Sequence, residues 1–376
     1  MFARLAPAFG RLPSDPGYDF LTNVEEFGLR SFVQASEKYI QIAPRVVAWI
    51  ALQFPVAQQA AVLQIIAVVV LALLGTLISW AIETQTQSRL LGGLLALVFL
   101  TIPAASESTL GNAGSLKWPL LAALGIVAVC PQFFMKFVRF TAFFTLFVAI
   151  SSPMVLVALL PIIWFAGTNR TIVRSLAPIL FAGVLGLGTQ FVAWLLKNRQ
   201  IKIYGDSIQQ TPWPGMGVFW YLVWIGPLVA ALSAIVALRV VLRRTSWKGV
   251  DLQPAIMWLA MMSIILSVLV HLSAGIKDSA AVATQTFAWS AVVLFTLPLL
   301  STRDSNRFMR ALGGLSLAFI TLFSLKWFGA SQYLSGGPTW KSEVEQAKRD
   351  CVVSTEGQAK LQLNLAVVEL PCSKLR

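Results

Sequence analysis

Apolar residues run together in long blocks from about residue 58 to residue 329, separated by short polar stretches. Ten blocks stand out, at 58–82, 90–104, 117–131, 140–151, 153–166, 175–196, 216–241, 253–275, 284–300 and 311–329. Such blocks predict helices that are apolar all round, buried in a bundle or facing lipid. Four of the early blocks are short, and that length suits re-entrant or bundle-interior helices better than simple lipid-facing spans. The Ser151-Ser152-Pro153 step reads either as a hairpin turn between two short spans or as a kink in one long span. Upstream, residues 31–57 mix apolar positions with Glu37, Lys38 and Arg45, the pattern of helices lying along a membrane surface. Downstream, KSEVEQAKRDC predicts a short amphipathic helix, and LQLNLAVVEL alternates as a strand does.

The fold class that follows is an all-α polytopic membrane protein of about ten transmembrane or re-entrant helices. It carries interfacial N-terminal helices and a small C-terminal α+β cap. The chain divides into an N-terminal segment (1–57), a helical membrane domain (58–329) and a C-terminal domain (330–376). Composition agrees, with 57% hydrophobic and only 12% charged residues. Soluble domains carry roughly 25% charged residues.

A net charge of +13 would point to nucleic acid in a soluble protein. Here the basic residues sit in short loops between blocks, where they set orientation, and no nucleic-acid partner is expected. With the tail outside, the loops at 302–310, 239–250 and 167–174 fall in the cytoplasm and carry nine basic residues. The loops at 276–283 and 197–215 fall outside and carry four. This orients the C-terminal half in the membrane with the C-terminus extracytoplasmic. A hairpin at the Ser-Ser-Pro step gives ten spans and puts residues 1–57 outside; a kink gives nine and puts them inside. Charge leaves both open.

Cys130 lies in an apolar block and reads as an inert buried thiol. Cys351 and Cys372 both fall in the tail, where a small extracytoplasmic domain needs a disulfide staple. The single histidine, His271, is too distant from them to complete a metal site and reads as a helix-packing residue or an intramembrane functional group. Glu83 and Lys326 lie near block ends, where charged side chains snorkel. Asn169-Arg170-Thr171 matches a glycosylation acceptor but falls on the cytoplasmic side. The sequence has no cleavable signal, Walker loop, dinucleotide fingerprint, zinc spacing or Ser-His-Asp arrangement.

Three stretches carry a resemblance: EKYIQIAPRVVAWIALQFP, NAGSLKWPLL, and the tail GPTWKSEVEQAKRDC followed by VELPC. Together they resemble a group of bacterial membrane proteins similar in layout to the GT-C superfamily, glycosyltransferases that use polyprenyl-phosphate-linked sugars. The resemblance implies an acidic residue in a first extracytoplasmic segment. That acid serves as general base for the acceptor or helps hold a divalent cation. Asp19, ahead of Phe20-Leu21 and Gly28, fits that pattern best, with Asp15 and Glu26 as alternates. The chain departs from the layout in two places. No apolar helix precedes residue 15, and TQTFA at 284–288 lacks a basic–aromatic pair.

The chemistry needs a base within hydrogen-bond reach of the acceptor hydroxyl and cations for the departing phosphate. Arg45 is the first phosphate candidate, against a role snorkelling to headgroups. Lys202 and Lys277 are further candidates, although Lys277 neighbours Asp278 and pairs with it in the plainer reading. Implied partners are membrane lipid and a polyprenyl-phosphate-linked sugar. Two other readings compete: a non-catalytic scaffold presenting its cap to a membrane protein partner, and a lipid or solute transporter.

Overall fold

The computed structural model describes residues 5–12, 16–34, 39–101, 112–153, 155–168, 172–203, 337–353, 357–362 and 367–375. The last four expected blocks lie outside the described residues, as do Asp15, His271, Lys277 and Lys326. The described helices are α1 (Pro16–Phe27), α2 (Ile42–Ala51), α3 (Gln59–Thr86), α4 (Arg89–Thr101), α5 (Lys117–Ala128), α6 (Pro131–Lys136), α7 (Val138–Ser151), α8 (Val155–Thr168), α9 (Val173–Ile203) and α10 (Trp340–Val353). Strands β1 (Gln358–Gln362) and β2 (Val367–Pro371) follow. Each of the first six apolar blocks is helical.

Two of these helices, α3 and α9, are long and apolar enough to cross a membrane. Their 28 and 31 residues correspond to about 42 and 46 Å, against a hydrocarbon core of about 30 Å. Helix α5 is different. Its 12 residues reach only about 18 Å, and every residue from Pro119 to Ala128 is buried. An apolar run without period is the signature of a helix enclosed on all sides, so α5 is the axis of the bundle.

The directions of the other bundle helices follow from their close contacts. A Cβ at Gly92 would stand 2.6 Å from the Ser79 carbonyl oxygen, and one at Gly75 would stand 2.8 Å from Leu100. These crossings make α3 and α4 an antiparallel hairpin. A Cβ at Gly183 would meet Leu159 and Thr145, one at Gly186 would meet Ala149, and Gln190 reaches Ala149 and Ile150. Ascending numbers on α9 therefore match ascending numbers on α7, and those two helices run parallel. Helix α8 must therefore run back from the end of α7 to the start of α9. The Ser151-Ser152-Pro153 step is a hairpin turn, and the kinked-span alternative does not fit this register.

One end of the bundle is covered by a second layer, built from the described residues between 5 and 57 and those of the tail. Helix α1, which the hydrophobic pattern did not predict, starts with Pro16 in its first turn and turns Phe20, Leu21 and Val24 inward. It stops at Gly28, whose φ of +54° suits a glycine. In the tail, α10 packs on an antiparallel hairpin with Gln358 opposite Pro371 and Gln362 opposite Val367. The single strand expected over LQLNLAVVEL is instead parts of two. Ala359 and Leu361 alternate inward on β1, as do Val368 and Leu370 on β2, so both strands bury one face. Cys351 and Cys372 form a disulfide. The tail's buried side chains are continuous with Leu12, Phe20, Leu21 and Val24 in one core.

Two residues fasten this layer to the bundle, and a third, Trp340, joins its two parts. Gln64 of α3 accepts from the Gly10 backbone N–H and donates to the carbonyls of Ala8 and Arg11. Gln190 of α9 accepts from the Ile40 N–H and donates to Ile40, Ala149 and Ile150. Because α7 ends there, Gln190 also serves carbonyls that lack a helical partner. Trp340, 1% exposed, donates its indole N–H to Val56 at 2.7 Å and its backbone N–H to Gly10 at 2.8 Å. Gly10, at a φ of +74°, thus joins α3 on one side and the tail on the other.

Candidate functional site

The covering layer holds most of the residues singled out from the sequence. Helix α1 carries Asp19 and Glu26, and it packs along α2, which carries Arg45. Positions 19 and 26 are two helical turns apart and so share a side of α1. Glu26 is exposed. Its neighbour Glu25 pairs with Lys374 at 2.7 Å, which ties α1 to the turn after β2. Lys202 lies in the last turn of α9, about three turns beyond Gln190, and so is not brought to this cluster. The disulfide sits in the tail at the other end of α10 from Trp340, on the same buried face of that helix. Among the described residues no group of three His, Cys, Asp or Glu side chains is placed to hold a metal ion.

Arg45 does not snorkel. It is 1% exposed, in the second turn of α2, and one terminal nitrogen donates to the Gln34 carbonyl. Its Nε is buried without a partner. No carboxylate among the described residues stands within ion-pair distance. Burial pulls its pKa down to about 10, which still leaves the guanidinium charged at neutral pH. A buried cation without a counter-ion is costly unless something else supplies negative charge.

A second cation reaches the residue that precedes the same helix. Lys117 opens α5 and donates to the Tyr39 hydroxyl at 2.5 Å and to Oε1 of Gln41 at 3.4 Å. Its ammonium lies 5.1 Å from the centre of the Tyr39 ring and 5.6 Å from that of Trp118. Gln41 is buried and directly precedes α2, so Lys117 and Arg45 flank the amino end of that helix. No side chain caps this end, and its first turn has no acid. The site is therefore rich in donors and positive charge.

The sequence reading named Arg45 but missed Lys117, Tyr39 and Gln41. The signal was present in one place only, a lysine directly ahead of an apolar block that is otherwise free of charge. Gln64 and Gln190 were missed too, although a glutamine inside an apolar helix is costly unless it is bonded. No protein-family model matches this chain, and no curated protein sequence or solved structure is similar to it.

Proposed function

We propose that this is a polytopic inner-membrane protein whose covered end faces the extracytoplasmic side, and that it transfers a sugar from a polyprenyl phosphate to a glycan or lipid acceptor. The observation that carries the reading is the covering layer itself. It packs a helix bearing acids against a helix bearing a buried, unneutralised arginine, over the end of an apolar bundle. Large apolar side chains on the outside of the bundle, among them Phe143, Phe181, Val184 and Phe191, suit contact with lipid.

The topology supports the orientation. The N-terminal segment and the tail touch at Gly10, Glu25 and Val56, so they share one side of any membrane. A shared side asks for an even number of crossings between them, which the ten-span reading supplies. The opposite end of the described bundle carries Arg89, Lys136, Arg139 and Arg174 against Glu83, the basic excess of a cytoplasmic face.

In the reaction, the acceptor hydroxyl attacks the anomeric carbon, and its proton passes to the Asp19 carboxylate. The bond from the anomeric carbon to the phosphate oxygen breaks, and the lipid leaves as a phosphate monoester. Cations near that oxygen stabilise the charge it gains. Asp19→Asn is expected to abolish a cell-surface sugar modification while the protein accumulates at its usual level. An unchanged surface glycan in that variant would sink the assignment of Asp19.

A further inference from the structure

We propose that Lys117, Tyr39 and Gln41, with the buried Arg45 one helical turn along α2 from Gln41, form a binding site for the dianion of a phosphate monoester. The proposal deepens the reading above and rests on its phosphate-handling half; it does not depend on which sugar moves.

The argument starts from donors. An ammonium has three N–H groups. Two of those on Lys117 go to Tyr39 and Gln41, and one is left. Tyr39 accepts from Lys117, so its own O–H remains to be given. Gln41 accepts through its oxygen, so its amide N–H groups remain. The free hydrogen-bonding capacity at this point is that of donors, the complement of an oxyanion. Lys117 is half-buried and so remains reachable, whereas Arg45 is enclosed. Lysine and tyrosine thus make the contact, and arginine supplies a fixed buried charge in the early turns of α2.

Charge then selects the ligand. Lys117 bonds to Gln41 and Arg45 follows one helical turn later, both without a described carboxylate partner, and the open amino end of α2 adds partial positive charge. A phosphate monoester carries roughly −1.5 to −2 near neutral pH, with a second pKa of about 6. A diester carries one negative charge. The site is matched to the monoester, which in the transfer reaction is the departing lipid phosphate and not the sugar donor. Binding energy expressed on that charge favours the transition state over the bound donor. The phosphate can belong to a lipid headgroup or to a soluble molecule, and the two sources are separable.

The test uses the full chain in phosphatidylcholine nanodiscs, with bound lipid counted by native mass spectrometry. Phosphatidic acid, a monoester, is expected to bind at least about tenfold tighter than phosphatidylglycerol, a diester. Its affinity is expected to rise from pH 5 to pH 8 as the ligand takes its second charge. Lys117→Gln is expected to weaken phosphatidic acid binding by roughly tenfold and Tyr39→Phe by a few-fold, both with unchanged thermal unfolding. Equal binding of the two lipids, or full affinity in a folded Lys117→Gln protein, would overturn the site. Should Lys117→Gln unfold, the pH profile and Tyr39→Phe decide in its place. Competition by millimolar inorganic phosphate would support a soluble source, and its absence with phosphatidic acid still bound would support a lipid one. Asp19→Asn is expected to keep the binding. Surviving sugar transfer in that variant, with the binding intact, would refute the base and leave the anion site standing.

Discussion

The bundle and its covering layer are built on different principles. The bundle is held by apolar burial and close helix crossings, with α5 enclosed on all sides and small residues at the contacts. The layer is thin and mixed in polarity, and it is secured at a few points: Trp340 at Gly10 and Val56, Gln64 and Gln190 at the backbone, and the Glu25–Lys374 pair. A bundle of the first kind tolerates many exchanges of similar volume. A layer of the second kind depends on individual residues. The charged, donor-rich site lies where the two meet, at the amino ends of α2 and α5.

Substitutions can break this contrast at graded cost. The largest effect is expected from Trp340→Ala, which empties a buried indole site and removes its bond to Val56. A loss of about 3–5 kcal/mol is of the size needed to release the tail, seen as new protease cleavage after residue 337 with the bundle still folded. Gln190→Leu is next. It leaves the Ile40 N–H and several carbonyls without their partner, at about 1–3 kcal/mol for each buried group, and is expected to raise hydrogen exchange around residue 40 without unfolding α9. A matched pair probes the bundle. Gly92→Ala forces a methyl group against the Ser79 carbonyl and should lower the thermal midpoint. Gly93→Ala meets nothing within 4 Å and should raise it slightly, since alanine favours a helix by about 1 kcal/mol over glycine. The smallest effect belongs to the part-exposed Glu25–Lys374 pair. Breaking it with Lys374→Gln should cost at most about 1 kcal/mol and less in high salt.

The two regions also differed in how far the sequence revealed them. The first six apolar helices were legible because an apolar block states its environment without reference to any partner. The Ser-Ser-Pro step was left open because hairpin and kink share a sequence, and only the parallel register of α7 and α9 separates them. The disulfide was legible from two cysteines in one short tail. Helix α1 was not, since Asp19, Thr22, Asn23, Glu25 and Glu26 outweigh its three inward residues until the tail is there to cover them. Lys117 was hidden for a related reason. Its meaning comes from Tyr39 and Gln41, more than 70 residues earlier in the chain, and no local pattern announces such a meeting.

The central claim is that the N-terminal segment and the tail form one layer on the extracytoplasmic side. Single cysteines at Glu26, Ser373 and Arg89, each in a Cys130→Ala background with the native disulfide kept, would be exposed to a membrane-impermeant maleimide in spheroplasts. Labelling at positions 26 and 373 before lysis, with position 89 protected until lysis, is the result this account predicts. Labelling at 373 with protection at 26 would contradict it, because two segments on opposite sides of a membrane have no shared core.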